Sequence, residues 1–256
     1  MENPNKNIPR QFSRQAEPMA AAPAFRRPEV LEWIEQGVRS APAQRVLDLA
    51  CGPGIVCERL AALDIKTVGI DLTPAMVRLA KQRQQLTQKE HCDFAVADGA
   101  RLPFVSGSFD QVVTRLSLHH FAALIAVLEE VHRVLRSGGR LIVADIVASA
   151  EESEAALQNA IEQLRDPSHV RMPSRSELKQ MLTAARFRIV REDEFRQERG
   201  FKEWASIVAE PLRTEPLKHV MGALARAGVR AGMELHEEAG EPRFIHAWAL
   251  VLADRE

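Results

Sequence analysis

Tyrosine is absent from the 256 residues, and aromatic residues of any kind make up only 5% of the chain. No phenol can therefore act as an acid, a base or a hydrogen-bonding anchor in whatever this protein does. Cysteine is sparse and odd in number: Cys51, Cys57 and Cys92. Three thiols build neither a disulfide framework nor a cysteine-rich zinc site, and they point to a reducing compartment. An excess of either charge is missing too, with 34 Lys+Arg against 35 Asp+Glu and a formal net charge of −1. Without a global basic field, neither nucleic acid nor a membrane surface is expected as a partner. The cations are mostly Arg, 27 against 7 Lys, and are spread along the chain instead of forming a phosphate-binding stripe. No apolar run approaches the roughly 18 residues of a membrane span. Residues 1–25 are polar, carry Pro4, Pro9, Pro18 and Pro23, and lack the apolar core of a signal peptide. The expectation is a cytoplasmic protein.

What is present is a globular composition, 46% hydrophobic and 27% charged, enough for a sizeable core. From residue 45 onward short apolar runs alternate with helical patterns. Strands are expected at 45–50, 66–71, 93–97, 109–116 and 140–147. Helices are expected at 55–63, from Thr73-Pro74 to about residue 89, and at 124–135, with Ser137-Gly138-Gly139 as the stop of the last. Beyond 148 the pattern turns helical at 151–165, 174–186 and 202–235, with strands at about 186–195 and 244–253. Strands alternating with helices at this spacing predict a doubly wound, Rossmann-like α/β sheet. The sheet is expected to be seven-stranded and mostly parallel with an antiparallel last strand. No repeat or linker divides the chain, so 1–256 is expected to be a single domain, with 1–25 as an N-terminal lid and 148–185 as an inserted helical cap.

The first strand runs into Asp48-Leu49-Ala50-Cys51-Gly52-Pro53-Gly54, at the point where an open α/β sheet binds its ligands. By itself a G-x-G is a weak signal, since some such matches are only tight turns. Asp71 ends the second strand 19 residues after Gly52, where an acidic side chain can accept hydrogen bonds from ribose hydroxyls; capping the next helix is the alternative. A dinucleotide site would want a third glycine for close packing and an anion site, and that position holds Cys57. Asp48 beside the turn would repel a pyrophosphate but suits a ligand bearing an ammonium. Charge therefore favours S-adenosylmethionine over NAD.

These segments resemble a known family. Val46-Leu47-Asp48-Leu49-Ala50-Cys51-Gly52-Pro53-Gly54 is similar to the first motif of class I S-adenosylmethionine-dependent methyltransferases, and Gly69-Ile70-Asp71-Leu72-Thr73-Pro74-Ala75-Met76 to the acidic motif that follows it. Ala97-Asp98-Gly99 with Leu102-Pro103-Phe104 and Phe109-Asp110 resembles the adenine-binding segment, and 135–141 the turn into the fifth strand. More narrowly, the chain resembles the small-molecule methyltransferases similar to those of ubiquinone and menaquinone biosynthesis, in a group carrying Phe12-Ser13-Arg14-Gln15-Ala16 and Arg165-Asp166-Pro167-Ser168-His169-Val170-Arg171. The resemblance implies that Asp48, Ala50, Gly52 and Gly54 face the methionine part of the cofactor. It implies that Asp71 holds the ribose, that Leu72 and Met76 pack on the adenine, and that Asp98 and Gly99 receive its amino edge. Arg115 would serve the methionine ammonium or carboxylate, and S-adenosylhomocysteine would be the product.

His119 and His120 follow the fourth strand on the same rim, and His is the side chain suited to proton transfer near neutrality. Adjacent His side chains diverge, so no metal site is expected there. Packing against the cofactor or capping the next helix is the alternative for each. Methyl transfer from a sulfonium needs mainly in-line geometry, so a base matters only for a weakly acidic nucleophile. On the acceptor side the candidates are Phe12, Arg14 and Gln15 in the lid, His169 and Arg171 in the cap, and Phe201 and Trp204 as walls of an apolar pocket. Trp248 reads as core. The expected reaction is methylation of O, N or C on a small organic acceptor; a macromolecular acceptor and a non-catalytic cofactor-binding module are the alternatives. The oligomeric state leaves no mark on the sequence.

Overall fold

The computed structural model describes residues 4–87, 92–208 and 210–256. Its strands are β1 (Arg45–Leu49), β2 (Lys66–Asp71), β3 (Cys92–Val96), β4 (Phe109–Arg115), β5 (Leu135–Val147), β6 (Phe187–Gly200), β7 (His236–Glu238) and β8 (Glu241–Arg255). Its α-helices are α1 (Pro4–Ala21), α2 (Pro28–Arg39), α3 (Ile55–Ala61), α4 (Pro74–Thr87), α5 (Leu124–Val134), α6 (Glu152–Arg165), α7 (Arg175–Ala184), α8 (Phe201–Ser206) and α9 (Pro211–Arg226). One sheet in the order β3-β2-β1-β4-β5-β8-β6 carries the fold, with β1 to β5 parallel and β8 antiparallel between β5 and β6. The doubly wound sheet with an antiparallel last strand is therefore present.

The central strands read as continuous apolar runs because both of their faces are covered. Leu47, Leu49, Val112, Leu141 and Val143 face a core closed by Val127, Leu128 and Val131 of α5 and by Leu178 and Leu182 of α7. Val46, Val113, Ile142 and Ala144 face the opposite core, closed by Val30, Ile34 and Val38 of α2 and by Ile55, Val56 and Leu60 of α3. Of the stretch 148–185, α7 thus lies on the sheet. α6 packs with α8, α9 and the start of β8 around Ile161, Trp204, Leu217, Met221 and Phe244. At the other end α1 lies on α4, with Ala16 and Ala20 against Met76 and Leu79.

The departures from sequence expectation lie in the strands and in the helix expected over 202–235, which is instead α8 and α9: Pro211 opens the second, Gly228 at φ 74° ends it, and 227–235 is not helical. β6 and β8 run 14 and 15 residues, longer than expected, and β7 adds an eighth strand as a hairpin onto β8. Ser137-Gly138-Gly139 lies inside β5 instead of ending α5, beside a register shift between Phe109 and Gln111 of β4. Residues 88–89, where the sequence extends α4, lie outside the described residues. Among those described, no helix is long and apolar enough to cross a membrane.

The missing third glycine of the turn has a structural counterpart in β2. Cys57 is fully buried, and its sulfur occupies space that opens because Gly69 lacks a side chain. A Cβ at Gly69 would lie 2.7 Å from Phe94 Cδ1 and 2.9 Å from Cys57 Sγ. Gly69→Ala should therefore cost about 1–3 kcal/mol of stability through overpacking. Urea titration of the two proteins reads this directly, and equal midpoints would show that the contact relaxes freely.

Candidate active site

The carboxyl ends of β1, β2 and β4 border a cavity that has Ile8, Phe12 and Met19 of α1 along one side. Its rim holds strained backbone. Ala50, directly after β1, has φ 56°, and Leu116, directly after β4, has φ 51°. Left-handed conformations of non-glycine residues cost of order 1–3 kcal/mol each and concentrate where a site over-determines them. Both are held by ladder-like bonds on either side: Cys51 N donates to Ile70 O at 2.8 Å, and Leu116 N to Ala144 O at 3.1 Å.

Of the ten residues expected at the cofactor, nine line this cavity: Asp48, Ala50, Gly52, Asp71, Leu72, Met76, Asp98, Gly99 and Arg115. Gly54 does not. It precedes α3 at φ 80°, and a Cβ there would approach Ala80 and Phe94 at 3.1 and 3.2 Å, so it serves the α3–α4 packing. Asp71 accepts from Gly52 N at 2.9 Å and from Thr73 N at 2.8 Å. It thus ties the glycine turn to the start of α4, and burial raises its carboxyl above the usual value. Each oxygen keeps a further lone pair for a ligand. Asp98 uses one oxygen to accept from Ala100 N at 2.9 Å.

Asp48 and Arg115 set the electrostatics. Asp48 is buried and accepts from the Cys57 thiol at 3.2 Å. Arg115 lines the cavity with its Nη1 buried and without a protein partner. Burial lowers its guanidinium only to about 10, opposed by the charges of Asp48 and Asp145, so it stays cationic at neutral pH. One cation and one carboxylate on the same wall suit a zwitterionic ligand.

The two histidines separate. His120 lines the cavity, and its Nδ1 lies 2.9 Å from the Ser168 carbonyl. A carbonyl can only accept, so Nδ1 carries the proton and Nε2 keeps the lone pair. Burial, followed by the charge of His119, pushes its pKa down to about 4, so the ring is neutral. His119 lies behind the cavity wall with Nδ1 2.7 Å from Asp145 Oδ1. Asp145 also accepts from Ser117 N and Leu118 N. Burial would raise that carboxyl, but the His119 ring and these donors hold it below the usual range.

Among the acceptor-side candidates only Phe12 reaches the cavity, edge-on to His120 at 4.8 Å between ring centroids. Arg14 points outward to Glu210 at 2.9 Å, and Arg171 to Glu177 at 2.5 Å. Gln15 is buried against Asp166, and His169 against Asn159. Phe201 and Trp204 do not wall the cavity, because they fill the core between α6, α8 and α9. Trp248 is core, as its pattern suggests. Sequence reasoning missed Ile8, Met19, Phe25 and Phe121, which supply apolar lining. It also missed Asp145, although a lone carboxylate within the apolar run 141–147 is a signal for a buried partnered acid. Among the described residues no group of three or more His, Cys, Asp or Glu could hold a metal ion.

Residues 47–143 match the family described as methyltransferase domain. The uncharacterized methyltransferase YcgJ of Bacillus subtilis is 32% identical over 173 residues, 68% of this chain and 68% of that protein. The crystal structure of YcgJ superposes with a TM-score of 0.79 at 25% identity, covering 88% of this chain and 98% of that one. A demethylmenaquinone methyltransferase of Beutenbergia cavernae is 39% identical over 104 residues, 41% of each protein, so that match spans under two thirds of the relative's length.

Asp48 makes a titration prediction. Burial pushes its carboxyl up to about 7, against the pull of the Cys57 thiol and Arg115. A folded value above the unfolded one means the native state holds the proton longer. This group's stabilisation is complete at low pH and is lost as pH rises through about 7. Asp48→Asn keeps an acceptor for Cys57 and cannot ionise. Urea unfolding at about pH 5 and about pH 8.5 should show the variant gaining about 2–3 kcal/mol on the wild type between the two. Parallel pH dependences would mean that Asp48 is already ionised at low pH.

Proposed function

We propose, from the premise that the chain belongs to the methyltransferase family, that it moves the methyl of S-adenosylmethionine to an O, N or C atom of a small organic acceptor enclosed beneath α1. The observation that carries this reading is the buried, orphaned Nη1 of Arg115 on the wall it shares with Asp48. A buried donor without a partner costs about 1–3 kcal/mol, more when charged, and a ligand carboxylate would relieve it. Asp48 is the counterpart for a ligand ammonium, whose arrival would draw its raised carboxyl into the ionised form. Asp71 would take the ribose hydroxyls, Leu72 and Met76 the faces of the adenine, and Asp98 and Gly99 its amino edge, with Ala50 and Gly52 lending backbone.

When bound, S-adenosylmethionine supplies a methyl on a positively charged sulfur. The protein's task is then to hold an acceptor atom in line with it and to exclude water. Ile8, Phe12, Met19 and Phe25 present apolar surface toward the acceptor's side. This lining, and the similarity to a demethylmenaquinone methyltransferase, support an apolar small molecule over a macromolecule. An acceptor X–H loses its proton as the X–C bond forms, and Nε2 of His120 is the lone pair the cavity offers for it. His119, behind the wall, acts as a support. We place the reaction in the cytoplasm, where three unpaired thiols are stable, and read the 256 residues as one working domain.

Calorimetry should give micromolar affinity, about −8 kcal/mol, for S-adenosylmethionine and S-adenosylhomocysteine and no binding of NAD. Asp71→Ala should weaken the first two by about 1–3 kcal/mol; an unchanged affinity would remove Asp71 from the ribose. With an acceptor in hand, His120→Asn should lower the rate roughly 10²–10⁴-fold with cofactor affinity intact. Equal losses of rate and affinity would make His120 a packing residue.

A further inference from the structure

α1 and His120 are joined twice, once by contact and once through a turn that lies outside the cavity. The contact is Phe12, edge-on to the imidazole. The turn is Asp166-Pro167-Ser168, which directly follows α6. Asp166 is buried, and its Oδ2 accepts from Gln15 Nε2 of α1 at 3.2 Å. Its Oδ1 accepts from Ser168 N at 2.9 Å and from Ser168 Oγ at 2.6 Å. Those two bonds hold the Ser168 N–H and side chain, His169 N donating to Asp166 O at 3.0 Å holds the next peptide, and the carbonyl of that peptide, Ser168 O, is the acceptor for His120 Nδ1. The backbone of Asp166 is itself anchored, its N–H donating to Glu162 O at 2.8 Å.

The chemistry of each link is asymmetric. Gln15 is almost fully buried, and a buried amide without its acceptor is costly, so α1 can seat only where Asp166 is waiting. Asp166 is a carboxylate in an enclosed site. Burial would raise its pKa, but the charge of Arg165 and the Ser168 donors hold it low. It remains an acceptor toward both α1 and Ser168. Phe12 and Gln15 lie three residues apart on the same helix and so share a face. One seating of α1 therefore places an apolar edge on the His120 ring and a donor on the group that orients its acceptor.

We propose that Asp166 and Ser168 are positioning residues that couple the seating of α1 to the tautomer of His120, presenting a bare Nε2 to the cavity only when the lid is closed. The proposal rests on the reading of His120 as proton acceptor given above. Its use is economy of timing: the base is completed by the same movement that excludes water. With α1 displaced, the Ser168 turn loses a partner of Asp166, the ring loses Phe12, and the imidazole is free to exchange tautomers.

The test is nitrogen NMR of the ligand-free protein near neutral pH, with the His120 ring resonances assigned by their loss in His120→Asn. In the wild type Nδ1 should be protonated and Nε2 bare. Gln15→Leu removes the donor while keeping a side chain of similar size, and Gln15→Glu sets a carboxylate against Asp166. In both, the two ring nitrogens should move toward a common averaged shift, and backbone exchange across α1 should quicken about tenfold or more. Arg14→Ala loosens α1 through its outer tie to Glu210 and leaves Asp166 alone. Its His120 should follow the extent to which α1 remains seated. Faster exchange in α1 with an unchanged His120 tautomer would overturn the coupling and leave Gln15–Asp166 as packing alone, as would no change in either. Because no ligand is present, the coupling stands or falls separately from cofactor affinity, which calorimetry reports.

Discussion

The rest of the site depends on taking a carboxylate and a guanidinium out of water on one cavity wall without pairing them. Two buried charges that bond each other directly satisfy themselves and leave nothing for a ligand. Here Asp48 takes its hydrogen bond from a thiol, and Arg115 has a buried nitrogen with no partner at all. Desolvation of both is unfavourable in the ligand-free protein. The fold can carry that cost because β1 and β4, which present the two residues, lie in the middle of the sheet, with apolar layers on both faces. Binding energy held in reserve this way is specific: a ligand with charges of one sign would relieve one group and aggravate the other.

The same strand ends hold Ala50 and Leu116 in left-handed backbone. Neither is glycine, and neither is forced by a tight hairpin. Both sit where the chain leaves a strand and must pass close to the cavity, pinned by a bond to the neighbouring strand. Electrostatic and conformational strain therefore coincide in space, at the point where the parallel strands end and their loops begin. That coincidence is what an open α/β sheet makes available at a topological switch point.

Much of this could be read from the residues. The alternation of apolar runs with helical periodicity gave the parallel core because each central strand is buried on both faces and so has no polar face to confuse it. Asp48, Asp71, Asp98 and Arg115 were legible for a related reason, each being a charged residue at the end of an apolar strand or in the turn after it. The lengths of β6 and β8 were not. β6 continues past residue 195 through Arg196-Gln197-Glu198-Arg199-Gly200, a polar run with no apolar alternation to mark it as strand, and it is held there by pairing with 243–247 of β8. Nor were Phe201 and Trp204, since an aromatic pair reads alike whether it walls a pocket or fills one. The lid was legible as a segment but not as a helix, because Pro9 and Pro18 argue against one. Tertiary packing of Ala16 and Ala20 on α4 overrides that preference.

The histidine pair shows where local sequence stops being informative. His119 and His120 are adjacent and chemically identical, yet one faces an aspartate 26 residues on and the other a carbonyl 48 residues on. Both partners come from the chain after the fourth strand, and they assign opposite tasks. The carboxylate of Asp145 accepts hydrogen bonds from His119 Nδ1 and from the backbone N–H groups of Ser117, Leu118 and Ile146, which turns that ring into a fixed part of the wall. The neutral carbonyl of Ser168 orients His120 without stabilising its charged form to the same degree, which leaves Nε2 a lone pair and the ring neutral. The base proposed above for a weakly acidic acceptor needs that second environment, and an anchor for the loop needs the first. Which histidine is which follows from what each faces across the fold, and no property of the His-His dipeptide contains it.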